Sequence, residues 1–224
     1  MTEDIPLGNS SSDHLTTWMY FPTMVGSVKK LEFLEIVKEV SDEYLEKRKK
    51  QQKELDEIYP VYMTDNYYHE ERIREFVNFI GKTSWDVLNG QGYNMENLGV
   101  SFNEMWTQEH YKHSAMEQHV HGYGSQLSGF YFLDVPEKAS KVVFHDPRPS
   151  KVQINLPEKD MNVATYGSNM INFMPEPGML MITNSWLPHS FTRHGSDDPL
   201  RFVHFNLIVM QQPQTSCPAP AEVV

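Results

Sequence analysis

Cysteine is nearly absent: the 224 residues hold one, Cys217, in a terminal stretch rich in Pro and Gln. One thiol can build neither an internal disulfide framework nor a thiolate metal cluster, so the composition suits a reducing compartment and a cytoplasmic protein. Long apolar runs are missing as well. No stretch approaches the ~20 residues that span a bilayer, and the opening Met-Thr-Glu-Asp-Ile-Pro puts acidic residues where a secretory leader carries basic ones. Positive charge is in deficit, with 19 Lys and Arg against 30 Asp and Glu and a formal net charge of −11. That balance disfavours sequence-independent binding to nucleic acid or to an anionic membrane. The partners expected are therefore small molecules, with a homodimer through an edge strand or the long helix as a further option.

What is present suffices for one sizeable core, at 39% apolar content. A polar Asn-Ser-Ser-Ser-Asp run precedes Trp18-Met-Tyr-Phe21, which reads as an edge strand. From Ser27 to Tyr59, Phe33, Ile36, Val37, Val40 and Tyr44 recur at helical spacing, giving one long helix or two, which Pro60 ends. Thr64-Asp65 reads as the cap of another helix running through Ile73, Phe76, Val77 and Ile80 to Leu88. After Leu98 the texture changes to short runs of Val, Phe, Tyr, Ile and Met between Pro, Gly, Asn and Asp clusters. Strands are expected at 99–108, 116–122, 127–134, 141–146, 151–155, 169–174, 179–183, 188–193 and 201–210. Eight or nine strands suit a double-sheet jelly roll. The expected organisation is a helical layer over 1–98, a jelly-roll core over 99–210 and a mobile tail over 211–224.

Chemistry concentrates in that core. Residues two apart in a strand share a face, so His119 and His121 can offer two imidazole nitrogens to one ion. His189, in Trp-Leu-Pro-His, completes a three-ligand face if a later strand carries it to the same point, leaving positions for a bidentate cosubstrate and oxygen. Arg201 would clamp a carboxylate there, since guanidinium makes paired hydrogen bonds and stays charged when buried.

Trp106, His119-Val-His121, Leu127-Ser-Gly-Phe-Tyr-Phe132, Phe144-His-Asp-Pro-Arg148, Pro177-Gly178, Trp186-Leu-Pro-His189 and Arg201-Phe-Val-His-Phe-Asn206 together resemble the 2-oxoglutarate/Fe(II) oxygenase family common in marine bacteriophages. That family lies within the double-stranded β-helix dioxygenase superfamily, and the likeness covers nearly half the chain. It implies a mainly β fold with N-terminal helices and a jelly-roll, cupin-like barrel. It further implies an oxygenase using Fe(II) and 2-oxoglutarate, releasing succinate and CO2 and hydroxylating a substrate in the cytoplasm, the host's if the source is viral. By that resemblance His119, His121 and His189 hold the metal, with His121 where relatives carry Asp or Glu. Arg201 meets the distal carboxylate of 2-oxoglutarate, with Val203 where many relatives have Ser, and Tyr131 is a second donor to it.

Three neutral imidazoles leave the iron more positive than the usual two plus a carboxylate. Glu117 or Asp146 could instead replace one of them, and Asp146 could orient a ligand imidazole from behind. Arg201 also has a plain reading as a surface ion pair, and Tyr131 as core. His145, His194 and His204 carry less weight: His194 reads as solvent-facing, and His204 should face away from Arg201 by alternation. Two competing functions remain, a three-histidine cupin-type dioxygenase without 2-oxoglutarate and a non-catalytic jelly-roll binding module.

Overall fold

The computed structural model describes Trp18 and residues 20–153 and 156–212. The polar run before Trp18 and most of the tail lie outside the described residues. Two helices form where apolar side chains recur along one face. In α1 (Leu34–Gln51) Val37, Val40 and Leu45 are buried, and α2 (Arg74–Gly90) buries Phe76, Ile80, Ser84 and Leu88 at a spacing of four. Gly92, at φ +91°, supplies the left-handed residue just past the end of α2. Thr64-Asp65 caps no helix. Thr64 follows the short strand β2 (Val61–Met63), and its Oγ1 accepts from the amide of Thr107 at 2.9 Å.

The other strands are β1 (Val25–Lys29), β3 (Leu98–His110), β4 (Met116–His119), β5 (Leu127–Asp134), β6 (Val142–His145), β7 (Met170–Phe173), β8 (Met179–Asn184), β9 (His189–Phe191) and β10 (Leu200–Gln211). They form two antiparallel sheets, one in the order β1-β8-β5-β10-β3-β2 and one in the order β4-β9-β6-β7. This is a mainly β, double-stranded β-helix (jelly-roll) barrel with two helices laid against it. Three details differ from the sequence reading. The N-terminal edge strand is β1, not Trp18–Phe21, where Trp18, Tyr20 and Phe21 are exposed. Strands β1 and β2 make the N-terminal segment more than a helical layer. Of the strand expected at 151–155, residues 151–153 belong to a 3-10 turn, Pro149–Gln153, and 154 and 155 lie outside the described residues.

The larger sheet is buried on both faces. On its outer face Tyr131, Leu133, Val203, Phe205 and Leu207 pack with Val37, Val40, Phe76 and Ile80 of the helices. On its inner face Phe130, Phe132, Met181, Leu200 and Phe202 meet Val142, Phe144 and Phe191 of the smaller sheet. Gly129 permits this closeness, because a Cβ there would lie 2.4 Å from both the Met181 carbonyl and the Phe205 ring.

Arg201 ties α1 to the barrel. Its Nε donates to Asp134 at 2.6 Å, and its guanidinium also pairs with Asp42 of α1, while Lys38 reaches Asp134 at 2.6 Å. Arg201→Met should leave Asp134 with Lys38 alone and remove the guanidinium that meets Asp42, lowering stability by about 1–3 kcal/mol. Denaturant melts of the two proteins measure it, and a midpoint unchanged from wild type would refute the clasp.

His110 is fully enclosed, its ring 5.2 Å from Phe202 and its nitrogens bonded to Gln108 and Ser114. Burial, then the neighbouring His194, pushes its pKa down to about 3. A folded value below the unfolded one means that the unfolded chain takes up the proton first. The stability contributed is complete above the unfolded value of about 6.5 and falls as pH drops towards 3, by about 1.4 kcal/mol per pH unit for one such group. Thermal midpoints should therefore decline from pH 7 to pH 4.5, and less steeply in His110→Gln.

Candidate metal centre

The jelly roll sets the first and last metal candidates directly opposite each other. In the antiparallel pair β4–β9, His119 faces His189, and β6 flanks the other side of β9 with Phe144 beside His189. His121 lies just beyond β4, and its amide donates to the Ser185 carbonyl at 2.9 Å, which turns it back over the same face. The three rings meet, with centroids 4.5 Å apart for His119 and His189 and 5.1 Å apart for each pair involving His121.

Backbone carbonyls decide which nitrogens face inward. His119 Nδ1 donates to the Glu117 carbonyl at 2.7 Å and His189 Nδ1 to that of Leu187 at 2.9 Å, leaving both Nε2 atoms free for a metal. His121 Nε2 and His189 Nε2 lie 3.2 Å apart. With metal–nitrogen bonds of about 2.1 Å, two ligands are about 3.0 Å apart at a right angle and about 3.4 Å apart at the tetrahedral angle. The observed spacing falls between these values. One ligand atom from each of the three residues lies within 4.8 Å of the others. Burial pushes His121 down to about 4 and His189 down to about 3, so both rings are neutral at pH 7, the form that binds metal.

No carboxylate joins them among the described residues. Glu117 contributes only its backbone carbonyl, and its side chain is exposed. Asp146 is engaged by Arg148 at 2.7 Å and Lys151 at 2.8 Å, and these bonds hold its carboxyl well below the usual carboxylate range. It does not orient a ligand imidazole, because the backbone does so. Arg148 accordingly anchors a turn. His145 shares a hydrogen bond with Ser190 Oγ at 2.8 Å. His194 is buried, against expectation, with its Nε2 donating to the Asp198 carbonyl at 2.8 Å.

Arg201 and Tyr131 do not meet the metal candidates. Both sit on the outer, helix-facing side of the larger sheet, Arg201 in its acidic clasp and Tyr131 against Phe76 with its hydroxyl donating to the Lys30 carbonyl at 2.6 Å. Alternation is the reason. In β10 the inward residues are Phe202, His204 and Asn206, and in β5 they are Ser128, Phe130 and Phe132, which puts 131, 201 and 203 outward. The same alternation brings in a residue that the sequence reading undervalued. His204 is buried, with its ring 4.7 Å from His121 and 4.5 Å from Trp106. Its odd–even relation to Arg201 was the available signal; which of the two faced inward was not.

The three imidazoles fit a divalent transition metal by donor type and spacing. The fit to 2-oxoglutarate is different in kind. Among strands β3 to β10 Arg201 is the one Lys or Arg, and it points away.

No curated protein matches the chain. Residues 104–206 match the model of a family described as "putative 2OG-Fe(II) oxygenase". Solved structures share the fold at low identity. A prolyl-4-hydroxylase from Pseudomonas putida aligns over 82% of this chain and 92% of its own, at 10% identity and a TM-score of 0.54. AviO1 from Streptomyces viridochromogenes aligns over 88% and 93%, at 11% identity and 0.55. The epimerase SnoN from nogalamycin biosynthesis, solved with Fe3+, alpha ketoglutarate and nogalamycin RO, aligns over 85% and 82%, at 12% identity and 0.53. Such identities speak for the fold, while the family match covers every converging histidine. The barrel segment of this chain, residues 104–206, is thus a 2OG-Fe(II) oxygenase domain, and Fe(II) and 2-oxoglutarate are the cofactors of its family.

Proposed function

We propose that His119, His121 and His189 hold the iron and that the enzyme hydroxylates its substrate. The observation that carries this reading is the meeting of three imidazoles, drawn from positions 70 residues apart, with two of them aimed by backbone carbonyls. When bound, iron activates oxygen and 2-oxoglutarate supplies two electrons and leaves as succinate and CO2, so that one oxygen atom enters the substrate. The chain itself binds, orients and keeps out water. Three neutral ligands leave the dipositive charge of the ion uncompensated, which favours an anionic co-ligand beside it. Phe130 and Phe144 pack edge-on or tilted against His189, and Phe191 stacks on Phe202 at 4.9 Å behind them. That wall lowers the local dielectric and strengthens any charge interaction at the centre.

A second reading has one observation in its favour. With Arg201 turned outward, the arrangement also suits a three-histidine dioxygenase that binds its substrate on the metal without 2-oxoglutarate. Succinate separates the two. Protein loaded with Fe(II) and given 2-oxoglutarate and oxygen should release succinate slowly alone and faster with the right substrate pool. His119→Ala and His189→Ala should each lower bound iron, measured by elemental analysis, by at least tenfold and abolish succinate. Full metal retention in both variants would sink the three-histidine centre, whereas metal bound by wild type without any succinate would favour the second reading.

A further inference from the structure

Inside the barrel, beside the metal candidates, a group of polar atoms is buried with no hydrogen-bond partner: Trp106 Nε1, Ser128 Oγ, both ring nitrogens of His204 and Asn206 Oδ1. Orphaned buried atoms cost stability until something bonds them, and native proteins keep few. Arg48, Ser84, Ser140 and His194 each carry a single case elsewhere, whereas these belong to neighbouring residues on three adjacent strands. His204 lies across from Trp106 on β3 and Phe130 on β5, and Asn206 lies across from Ser128. The ring of His204 stacks on that of His121 at 4.7 Å and 28°, so the group adjoins the metal centre directly.

Donor chemistry dominates the group. The indole N–H can only donate, the serine hydroxyl can donate, and a neutral imidazole has one N–H to give. Asn206 is the exception. Its amide donates to Glu104 at 2.8 Å, and its Oδ1 is an acceptor beside the His204 ring, which can give its one N–H to that oxygen or to a ligand. Donors on three adjacent strands beside the metal candidates suit an anion, with the Glu104 carboxylate adjoining them engaged by the Asn206 amide, and strands β3 to β10 offer no inward Lys or Arg to compete for it.

Resting on the three-histidine centre proposed above, we infer that the remote carboxylate of 2-oxoglutarate is held by the neutral donors Trp106 Nε1, Ser128 Oγ and His204, and not by Arg201. Such a seat exchanges a guanidinium clamp for uncharged hydrogen bonds, with the ion supplying the positive field. The chain thereby frees Arg201 to fasten α1.

The test uses nickel(II)-loaded full-length protein and 2-oxoglutarate in titration calorimetry, which reads binding without turnover. Trp106→Phe, Ser128→Ala and His204→Phe should each weaken 2-oxoglutarate by about tenfold or more, the loss of one hydrogen bond to a charged group, with nickel stoichiometry unchanged. Arg201→Met and Lys151→Met should stay within about twofold of wild type. Unchanged affinity in the first three variants with nickel still bound would overturn the seat alone, as would loss of binding on removing Arg201 or Lys151. Failure of the wild-type protein to take up nickel would overturn the metal reading beneath it.

Discussion

The antiparallel pairing of β4 with β9 sets His119 opposite His189, and the proposed metal centre depends on that register. A slip of one residue in either strand would send one of the two imidazoles to the outside of the barrel. The pairing is held from behind by β6, which joins β9 through Val142, Val143 and Phe144, and from above by the turn at Ser185 that captures the amide of His121. Carbonyls of residues two positions away in the chain then fix the tautomers of His119 and His189. Metal readiness is therefore a product of backbone geometry, and no carboxylate is needed to orient the rings.

Burial gives these imidazoles two properties at once. The apolar surroundings that keep His121 and His189 neutral also make a proton costly to accept, so the features that prepare the centre for a metal make the fold sensitive to acid. His204 and His110 belong to the same regime, His204 pushed far down by burial and by the three neighbouring histidines. The barrel interior thus concentrates histidine where strands β3 to β10 turn no Lys or Arg inward.

The larger sheet explains why Arg201 stands on the helix-facing side, in an ion-pair clasp, and not beside the metal candidates. Its outer face carries the helices, its inner face the aromatic wall, and seven of the eight residues of β5 are buried. Arg201 can leave the core on the outer side because Asp134 and Asp42 stand there to meet it, with Lys38 balancing the second carboxylate. The helical segment and the barrel consequently share one apolar core and one ion-pair network.

Much of the organisation was legible in the sequence. The helical spacing of Val37 and Val40, the alternation to short β-rich runs after Leu98 and the His119, His121 and His189 set all come from patterns local to a few residues, and local patterns reflect backbone period directly. Glycine and proline punctuation placed most of the strands within a residue or two. The inward or outward sense of Tyr131, Arg201 and His204 was not legible, because β5 and β10 are buried on both faces and show no polar–apolar alternation from which a phase could be read. For the same reason the partners of Arg201 came from Asp42 and Asp134, 159 and 67 positions distant. The amino-acid order alone determined which elements form and which side chains can bind a metal, since those follow from short-range period and donor chemistry. Only the tertiary structure decided which face of a doubly buried strand turns towards the centre, because that phase is set by register with strands far away in the chain.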